Sequence, residues 1–520
     1  MEGIDLNTTM RKRKSSADIY PPIAKFPASC RFIEEKASLK SGTVNAAEIA
    51  NYLKANGLLP DDPRLKSLFK KLMTADHEYR KDITPEIFAE MLSEVEFATL
   101  IERAFKGNLV VPDFKDFCNR LQILFNEVKA NVSHTAGKNA DYIPKLAQIS
   151  PNYFGMSVCT IDGQRFQLGD ANIEFSVQSC CKPLTYCFAL EEHGEEKVHK
   201  HIGREPSGVA FNSICLNSKD RPHNPMINAG AIMACSLIKP KEPIYERFQY
   251  VNEQLSKMSG GLKWGFSNIV YQSEKMHADR NFCLGYMMQG KKAFPPGTNL
   301  HDTLDFYFQC CSLETDCNKL AIAGATLANM GECPTTGMKV LKSRTCRDSL
   351  SLMYSCGLYD YSGEWAFKVG IPAKSGVSGS IYAVIPDFGC ISIYSPPLDS
   401  IGNSVRGVEF FTRLVDEFIF HNFDSLKPTG TRIRINPRLN KIASEREGKM
   451  AALNAAAEGD LMELLRLIRG GVSPAAYDYD RRTLLHLATC SGKVEMVKCL
   501  LKYPEVDVNA VDRWGGTGTV

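Results

Sequence analysis

Apolar positions recur at helical spacing along the first quarter of the chain and alternate only further on. Ala46–Gly57, Pro63–Thr74 and Thr84–Val95 each carry an apolar stripe and are separated by short polar turns, which predicts a helical domain over residues 30–135. Pro60-Asp61-Asp62-Pro63 reads as a turn that also caps the following helix. Ala75–Thr84 has the outline of an EF-hand loop but lacks the D-x-D-x-D-G ligand series and the central glycine, so no calcium is expected there. Ser133–Asn139 is a polar linker, and the pattern changes after it. Met156–Thr160 and Arg165–Gly169 flank Asp162-Gly163, predicting a hairpin. Helices are predicted over Ile227–Ile238 and Leu320–Met330, the second stopped by Gly331. Ser380–Ile385 and Cys390–Tyr394, joined by Pro386-Asp387-Phe388-Gly389, predict a late strand pair. Strands at both ends of a segment with helices between them imply an α+β domain over 137–424 whose terminal strands share one sheet.

Residues 425–447 are basic and poor in apolar clusters, and read as a linker. Beyond them lies a repeat over 448–520: Asp478 and Thr483 are echoed by Asp512 and Thr517, 34 residues later. Thr483-Leu484-Leu485-His486, with Leu487-Ala488, Gly492 and Val497–Leu501, is similar to the ankyrin consensus. Two helix pairs are expected, with a third unit that stops at Val520 after its opening turn. Such a stack normally takes about three units, so this one is expected to lean on a neighbour or to be truncated.

Composition narrows the choice of function. With 62 basic and 59 acidic side chains in 520 residues, the balance gives no reason to expect nucleic acid as a partner. No apolar run approaches the ~20 residues of a membrane helix. The 18 cysteines are scattered and form no C-x-x-C pair, so they read as reduced thiols of an intracellular protein. Residues 1–29 read as a mobile terminus. Their basic tetrad, Arg11-Lys12-Arg13-Lys14, is mixed with Glu2, Asp5 and Asp18, which a mitochondrial presequence would avoid.

Candidate chemistry centres on Ser179-Cys180-Cys181-Lys182 at the start of a predicted helix. That spacing puts a hydroxyl and an amine on one helical turn. Burial and the positive helix N-terminus both disfavour an ammonium, so Lys182 can act as a neutral base on Ser179. The pattern also occurs at Ser67/Lys70 and Ser236/Lys239, so it carries little alone. Lys374-Ser375-Gly376, before the strand Ser380–Ile385, is the companion triad of acyl-serine enzymes, although Lys40-Ser41-Gly42 repeats it by chance.

Longer strings decide between these readings. They include Asp141-Tyr142-Ile143-Pro144, Gln178-Ser179-Cys180, Glu205-Pro206-Ser207-Gly208, His223–Ile232, Asp279-Arg280-Asn281-Phe282, Leu304–Gln309, Cys356–Asp360 and Ala373–Gly379. With these strings, residues from about Ile143 to Asp424 resemble the serine-dependent, β-lactamase-like glutaminases. The helical domain before them and the ankyrin repeats after them resemble the kidney- and liver-type animal members.

The resemblance implies glutamine hydrolysis to glutamate and ammonia through a γ-glutamyl ester on Ser179, with no cofactor. Lys182 and Tyr359 would move the protons, with Tyr142 nearby, and the backbone N–H groups of Ser179 and Val377 would form the oxyanion hole. Glu274 would take the substrate's α-ammonium; Asn228, Asn281, Tyr307 and Tyr142 would take its α-carboxylate. Without the resemblance, Glu274 reads as a solvated charge, Tyr307 as a core tyrosine, Asn228 as a helix-start residue and Asn281 as a turn residue. It further implies mitochondrial residence, a dimer that pairs into a tetramer, activation by phosphate or another polyvalent anion, and a protein partner for the ankyrin repeats. Ser213 and Cys215, in the loop Gly203–Arg221, depart from the basic and aromatic residues of kidney-type members and put that regulation in question. Two rivals stand beside this reading. A penicillin-binding or β-lactamase-type enzyme would show a Ser-Asp-Asn triad, and none is well placed. A catalytically silent ankyrin scaffold would have lost Ser179 or Lys182, and both are present.

Overall fold

The computed structural model describes residues 43–208, 213–424, 434–439, 441–469 and 471–518. These divide into two compact units. One comprises the residues up to Val110 and Phe114–Asn436; the other comprises Val111–Asp113 and the residues from Pro437 onward.

Among the described residues the first unit begins with four short helices, Ala46–Ala55, Lys66–Lys71, Pro85–Ser93 and Ala98–Phe105. Asn45 caps the first and Thr84 the third, each side chain accepting a first-turn backbone N–H. Their apolar stripes meet in one core containing Ile49, Leu53, Leu68, Phe88 and Ile101. Antiparallel bridges at Val44–Ile83 and Met73–Tyr79 tie the intervening loops. This helical part is clamped to the hairpin behind it. Arg103 forms a bidentate pair with Asp162, which also accepts Val110 N–H at 2.6 Å, and Arg64 donates to the Asp162 carbonyl at 2.8 Å.

The sheet behind the clamp has the strand order β2-β1-β8-β7-β6, antiparallel throughout. β1 is Gly155–Thr160, β2 Arg165–Gly169, β6 Ala373–Gly376, β7 Ser380–Ile385 and β8 Gly389–Tyr394. The pairing of β1 with β8 (Met156 opposite Ile393) closes first and last strands into one sheet, as their sequence positions imply. β1, β7 and β8 are buried along their whole length. The helix Cys317–Ala328 covers them. Gly324 lets it sit close, because a Cβ there would lie 2.3 Å from Cys390 Sγ. This helix starts three residues before the predicted Leu320, because Asp316 accepts Lys319 N–H at 2.8 Å and caps it early. In a second small sheet β3 (Phe175–Ser176) pairs with β5 (Leu313–Thr315), which pairs with β4 (Gly265–Phe266); Phe175–Val177 reads as strand-like in the sequence, while β4 and β5 are too short to register.

The second unit holds two helix pairs, Lys441–Glu458 with Leu461–Arg469 and Leu484–Cys490 with Val494–Leu500. The first helix begins inside the stretch read as a linker. Its opening residues contain no glycine before Gly448 and no proline, so the helix runs back past the alanine-rich core segment. The 34-residue echo is structural. Asp478 accepts the N–H groups of Asp480 and Arg482, and Asp512 accepts those of Trp514 and Gly516 in the same way. Thr483 and His486 form a capping box, and His486 Nε2 lies 3.0 Å from the Gly516 carbonyl in the next turn.

Candidate active site

Ser179 lies in a 3-10 turn, Gln178–Cys181, that runs directly into the helix Lys182–Val198. The turn is held on two sides. Val177 N–H donates to the Leu313 carbonyl at 2.8 Å, while Cys180 Sγ lies 3.5 Å from the Lys374 carbonyl on β6. Gln178, immediately before the serine, has φ +48°, a left-handed conformation that costs a non-glycine residue ~1–3 kcal/mol. Its side chain is locked, donating to Ser176 Oγ, which in turn donates to the Cys311 carbonyl. Tyr359 is the second strained residue, at φ +55°. The two outliers meet at the serine, since the Ser179 hydroxyl hydrogen-bonds the Tyr359 phenol. Burial raises the phenol's pKa and the serine's hydrogen bond opposes that rise. Tyr359 Oη also donates to the Ser375 carbonyl at 3.2 Å.

Two lysines are fully buried beside this pair. Lys182 Nζ donates to Asn228 Oδ1 at 2.6 Å, and Asn228 Nδ2 donates to Asn281 Oδ1 at 3.0 Å. Lys374 Nζ donates to the carbonyls of Gly357 and Ser375 at 2.9 and 2.8 Å and sits 4.6 Å from the Tyr359 ring centre. Gly357 permits this, because a Cβ there would strike the Ala373 carbonyl at 1.8 Å. These hydrogen bonds of both amines go to neutral acceptors. Burial lowers the pKa of Lys182, and burial together with the Lys182 charge brings Lys374 down to about 7.

The remaining residues line the other side. Glu274, on the helix Asn268–Met276, is only 7% exposed. Burial raises its carboxyl pKa against the hydrogen bond from Tyr142. The Tyr142 ring is 45% exposed but its hydroxyl turns inward, 2.7 Å from Glu274 Oε1 and 3.0 Å from Gln178 Oε1. The single hydroxyl proton goes to the nearer, charged carboxylate. Tyr307, on the helix Leu300–Cys311, is buried; desolvation first, then its surroundings including Cys311 and Glu274, raises its pKa strongly. Val377 opens the β6–β7 turn and packs with Ile143, next to Tyr142, and with Val270, one helical turn before Glu274. Among the described residues neither the Ser179 nor the Val377 backbone N–H donates to a protein acceptor.

The sequence-predicted residues thus gather into three linked sets: Ser179 with Tyr359, Lys182 with Asn228 and Asn281, and Tyr142 with Glu274. Glu274 is no solvated charge, and Asn281 sits in the helix Asp279–Gly290 rather than a turn. Asn228 does start its helix, yet its side chain serves Lys182. Sequence reasoning placed Lys374 in a motif without a role, and it passed over Gln178 as a site residue. Adjacency to Ser179 was the available signal for Gln178. Among the described residues no group of three or more His, Cys, Asp or Glu side chains is arranged to hold a metal ion.

Known proteins resemble this chain over most of its length. The glutaminase family profile matches residues 137–423, an EF-hand domain profile 34–112 and an ankyrin repeat profile 480–513. A mitochondrial liver-isoform glutaminase of Mus musculus is 42% identical over 465 residues, covering 89% of this chain and 76% of that protein. A putative glutaminase of Caenorhabditis elegans is 41% identical over 92% of this chain and 82% of its own length. Among solved structures, Mglu in its glutamate form superposes with TM-score 0.56 at 36% identity, over 59% of this chain and 69% of that one. A probable glutaminase gives TM-score 0.55 at 33% identity, over 59% and 99%. The β-lactamase-like α+β core, the EF-hand domain and the ankyrin repeat are therefore all present, and the chain belongs to the glutaminase family.

Proposed function

We propose that this glutaminase, which hydrolyses glutamine to glutamate and ammonia, works through a γ-glutamyl ester on Ser179. The observation that carries this reading is the shared hydrogen bond of Ser179 and Tyr359 beside buried amines held below their ordinary pKa. Neutral Lys182 takes the serine proton, directly or through Tyr359, as Oγ attacks the side-chain amide carbon. The free N–H groups of Ser179 and Val377 receive the developing oxyanion, a contribution of ~3–4 kcal/mol per donor. Tyr359 passes the proton to the departing nitrogen, and ammonia leaves. Water then yields its proton to the same pair, attacks the ester and frees glutamate. Glu274 holds the α-ammonium, with Tyr142 fixing the carboxylate; Asn281, Asn228, Tyr307 and Tyr142 address the α-carboxylate. The reaction in this form calls on side chains and water and on no cofactor.

Mitochondrial residence rests on the rodent liver-isoform relatives, whose names carry it. Residues 1–42 lie outside the described structure. Among the described residues no helix is long and apolar enough to cross a membrane. A protein partner for the ankyrin repeats and a dimer-to-tetramer assembly answering to phosphate or another polyvalent anion complete the proposal. Support for the coupling lies at the ends of the loop 203–221. Gly203 N–H donates to the Pro222 carbonyl at 2.8 Å and Glu205 N–H to that of His223 at 3.1 Å, five residues before Asn228. A change of loop shape therefore reaches Lys182's partner.

Ser179→Ala is expected to lower glutamine hydrolysis by ~10³-fold or more, with an unchanged melting curve. Ammonia release within tenfold of the parent would remove Ser179 from the nucleophile's role. Glu274→Gln is expected to raise the KM for glutamine by the equivalent of ~2–5 kcal/mol, since a buried ammonium loses its counter-charge. Asparagine should be a poor substrate, its amide stopping one methylene short of Ser179. An unchanged KM would make Glu274 a bystander. For assembly, specific activity should rise with protomer concentration as light-scattering mass grows; constant activity from monomer to tetramer would rule the coupling out.

A further inference from the structure

Beyond β8 the chain runs through residues 395–404, which border three parts of the site and have no role in the steps above. Ser395 N–H donates to the Gly379 carbonyl at 2.9 Å, in the turn that Val377 opens. Leu398 and Lys138 exchange both backbone hydrogen bonds, at 2.8 and 3.0 Å, four residues before Tyr142. Gly402 comes closest to the chemistry. A Cβ built on it would lie 3.7 Å from Tyr359 Cε2 and 3.9 Å from Val377 Cγ1. This one residue therefore faces both the phenol ring and the residue whose N–H serves the oxyanion.

Asp399 sets the shape of this turn. Its Oδ1 accepts the backbone N–H groups of Ile401, Gly402 and Asn403 at 2.9, 2.9 and 3.0 Å, and its own N–H donates to the Asn403 carbonyl at 2.8 Å. Three donors on one carboxylate oxygen close residues 399–403 on themselves. They hold Gly402 at φ +103°, a conformation open to glycine and costly for other residues. Ser362 pins the Tyr359 backbone, its hydroxyl donating to the Tyr359 carbonyl at 2.8 Å. The ring, by contrast, is bordered by Lys374 Nζ, 4.6 Å from its centre, and by the turn at Gly402. Behind burial, the Asp399 charge also adds to the rise of the phenol's pKa. Asp399 can thus act on Tyr359 in two ways, as the shaper of the turn or as a nearby charge.

We infer that Asp399 is a positioning residue for the reaction: through the turn 399–403 it fixes the Tyr359 ring against Ser179 and the Val377 N–H at the oxyanion. Both groups act only at short range. Proton transfer needs the phenol within hydrogen-bond reach of Oγ, and an oxyanion donor is effective at about 2.7–3.1 Å. These demands arise in the transition state. Glutamine's α-groups are held by Glu274 and Asn281, on the helices Asn268–Met276 and Asp279–Gly290, which the turn does not carry. Loss of the turn therefore lowers kcat and spares KM. The three N–H groups, rather than the charge, are what Asp399 supplies against. This inference rests on the acyl-serine reading, in which Tyr359 and Val377 take those roles.

The test measures initial rates of ammonia release by the full chain over a range of glutamine concentrations, with melting curves alongside. Asp399→Ala, which removes the acceptor, should lower kcat ~10–100-fold, the effect of a displacement of about 1 Å, with KM within about twofold. Asp399→Asn, whose side-chain carbonyl accepts the same three N–H groups without the charge, should recover kcat to within about threefold of the parent. Gly402→Ala keeps the Asp399 acceptor, but alanine is strained at φ +103° and its methyl meets the Tyr359 ring, so kcat should fall ~10-fold at an unchanged KM. That variant decides the matter if Asp399→Ala does not fold. A parent-like kcat in folded Asp399→Ala, or in Gly402→Ala, would overturn the inference. Equal losses in Asp399→Asn and Asp399→Ala would overturn it too, by assigning the effect to the charge. A KM that rises in step with the fall in kcat would make the turn part of glutamine binding and likewise overturn it. Full activity of Ser179→Ala would instead overturn the acyl-serine reading beneath it, whatever the Asp399 variants do.

Discussion

Two fully buried lysine amines without a carboxylate hydrogen-bonded to either are the constraint on which the site depends. Each loses most of its hydration, and the Lys182 charge further raises the cost of a proton on Lys374. Neutral carbonyls and an amide oxygen satisfy their N–H bonds but supply no full counter-charge. The fold therefore keeps Lys374 ready to accept a proton near neutral pH and holds Lys182 below its ordinary value, which an exposed lysine does not do. The cost shows in stability. The unfolded chain holds a proton on Lys374 up to its ordinary value of 10.5, and the folded chain releases it at about 7. The unfolded state binds the extra proton between these values, so folding stability rises with pH across that window and is reduced below it.

The scaffold that carries this cost is built from contacts remote in sequence. β6 brings Lys374 to the Cys180 turn, Gly357 brings the start of the Tyr359 segment against β6, and the helix Asn228–Leu237 presents Asn228 to Lys182. The left-handed conformations of Gln178 and Tyr359 flank the serine from two different elements. Strain of this kind persists where surrounding bonds over-determine it, and here Ser176, Ser362 and Ser375 do so.

Much of this architecture was legible in the sequence, for identifiable reasons. Short apolar runs flanking the Asp162-Gly163 and Pro386–Gly389 turns revealed four strands of the main sheet, three of which are buried along their whole length. The repeat of Asp478 at Asp512 revealed the ankyrin turn, because one side chain sets each loop. Local signals failed for Glu274 and Tyr307, whose neighbours look like an exposed face and a core helix. Only the family strings singled them out, since burial beside Tyr142 is a property of the folded chain. The backbone strain at Gln178 and the second amine's hold on Tyr359 had no signal of their own, for strain and cation–ring contacts leave no mark on composition.

The most direct test of the poised amines is an NMR titration of the protein labelled with ¹³C at lysine Cε, with Lys182→Met and Lys374→Met variants to assign the two signals. Lys374 should titrate at about 7, and Lys182 below the 10.5 of an ordinary lysine. Removing Lys182 should move Lys374 upward, as its electrostatic neighbour disappears. Two signals titrating at the ordinary lysine value, indifferent to each other's removal, would contradict the account.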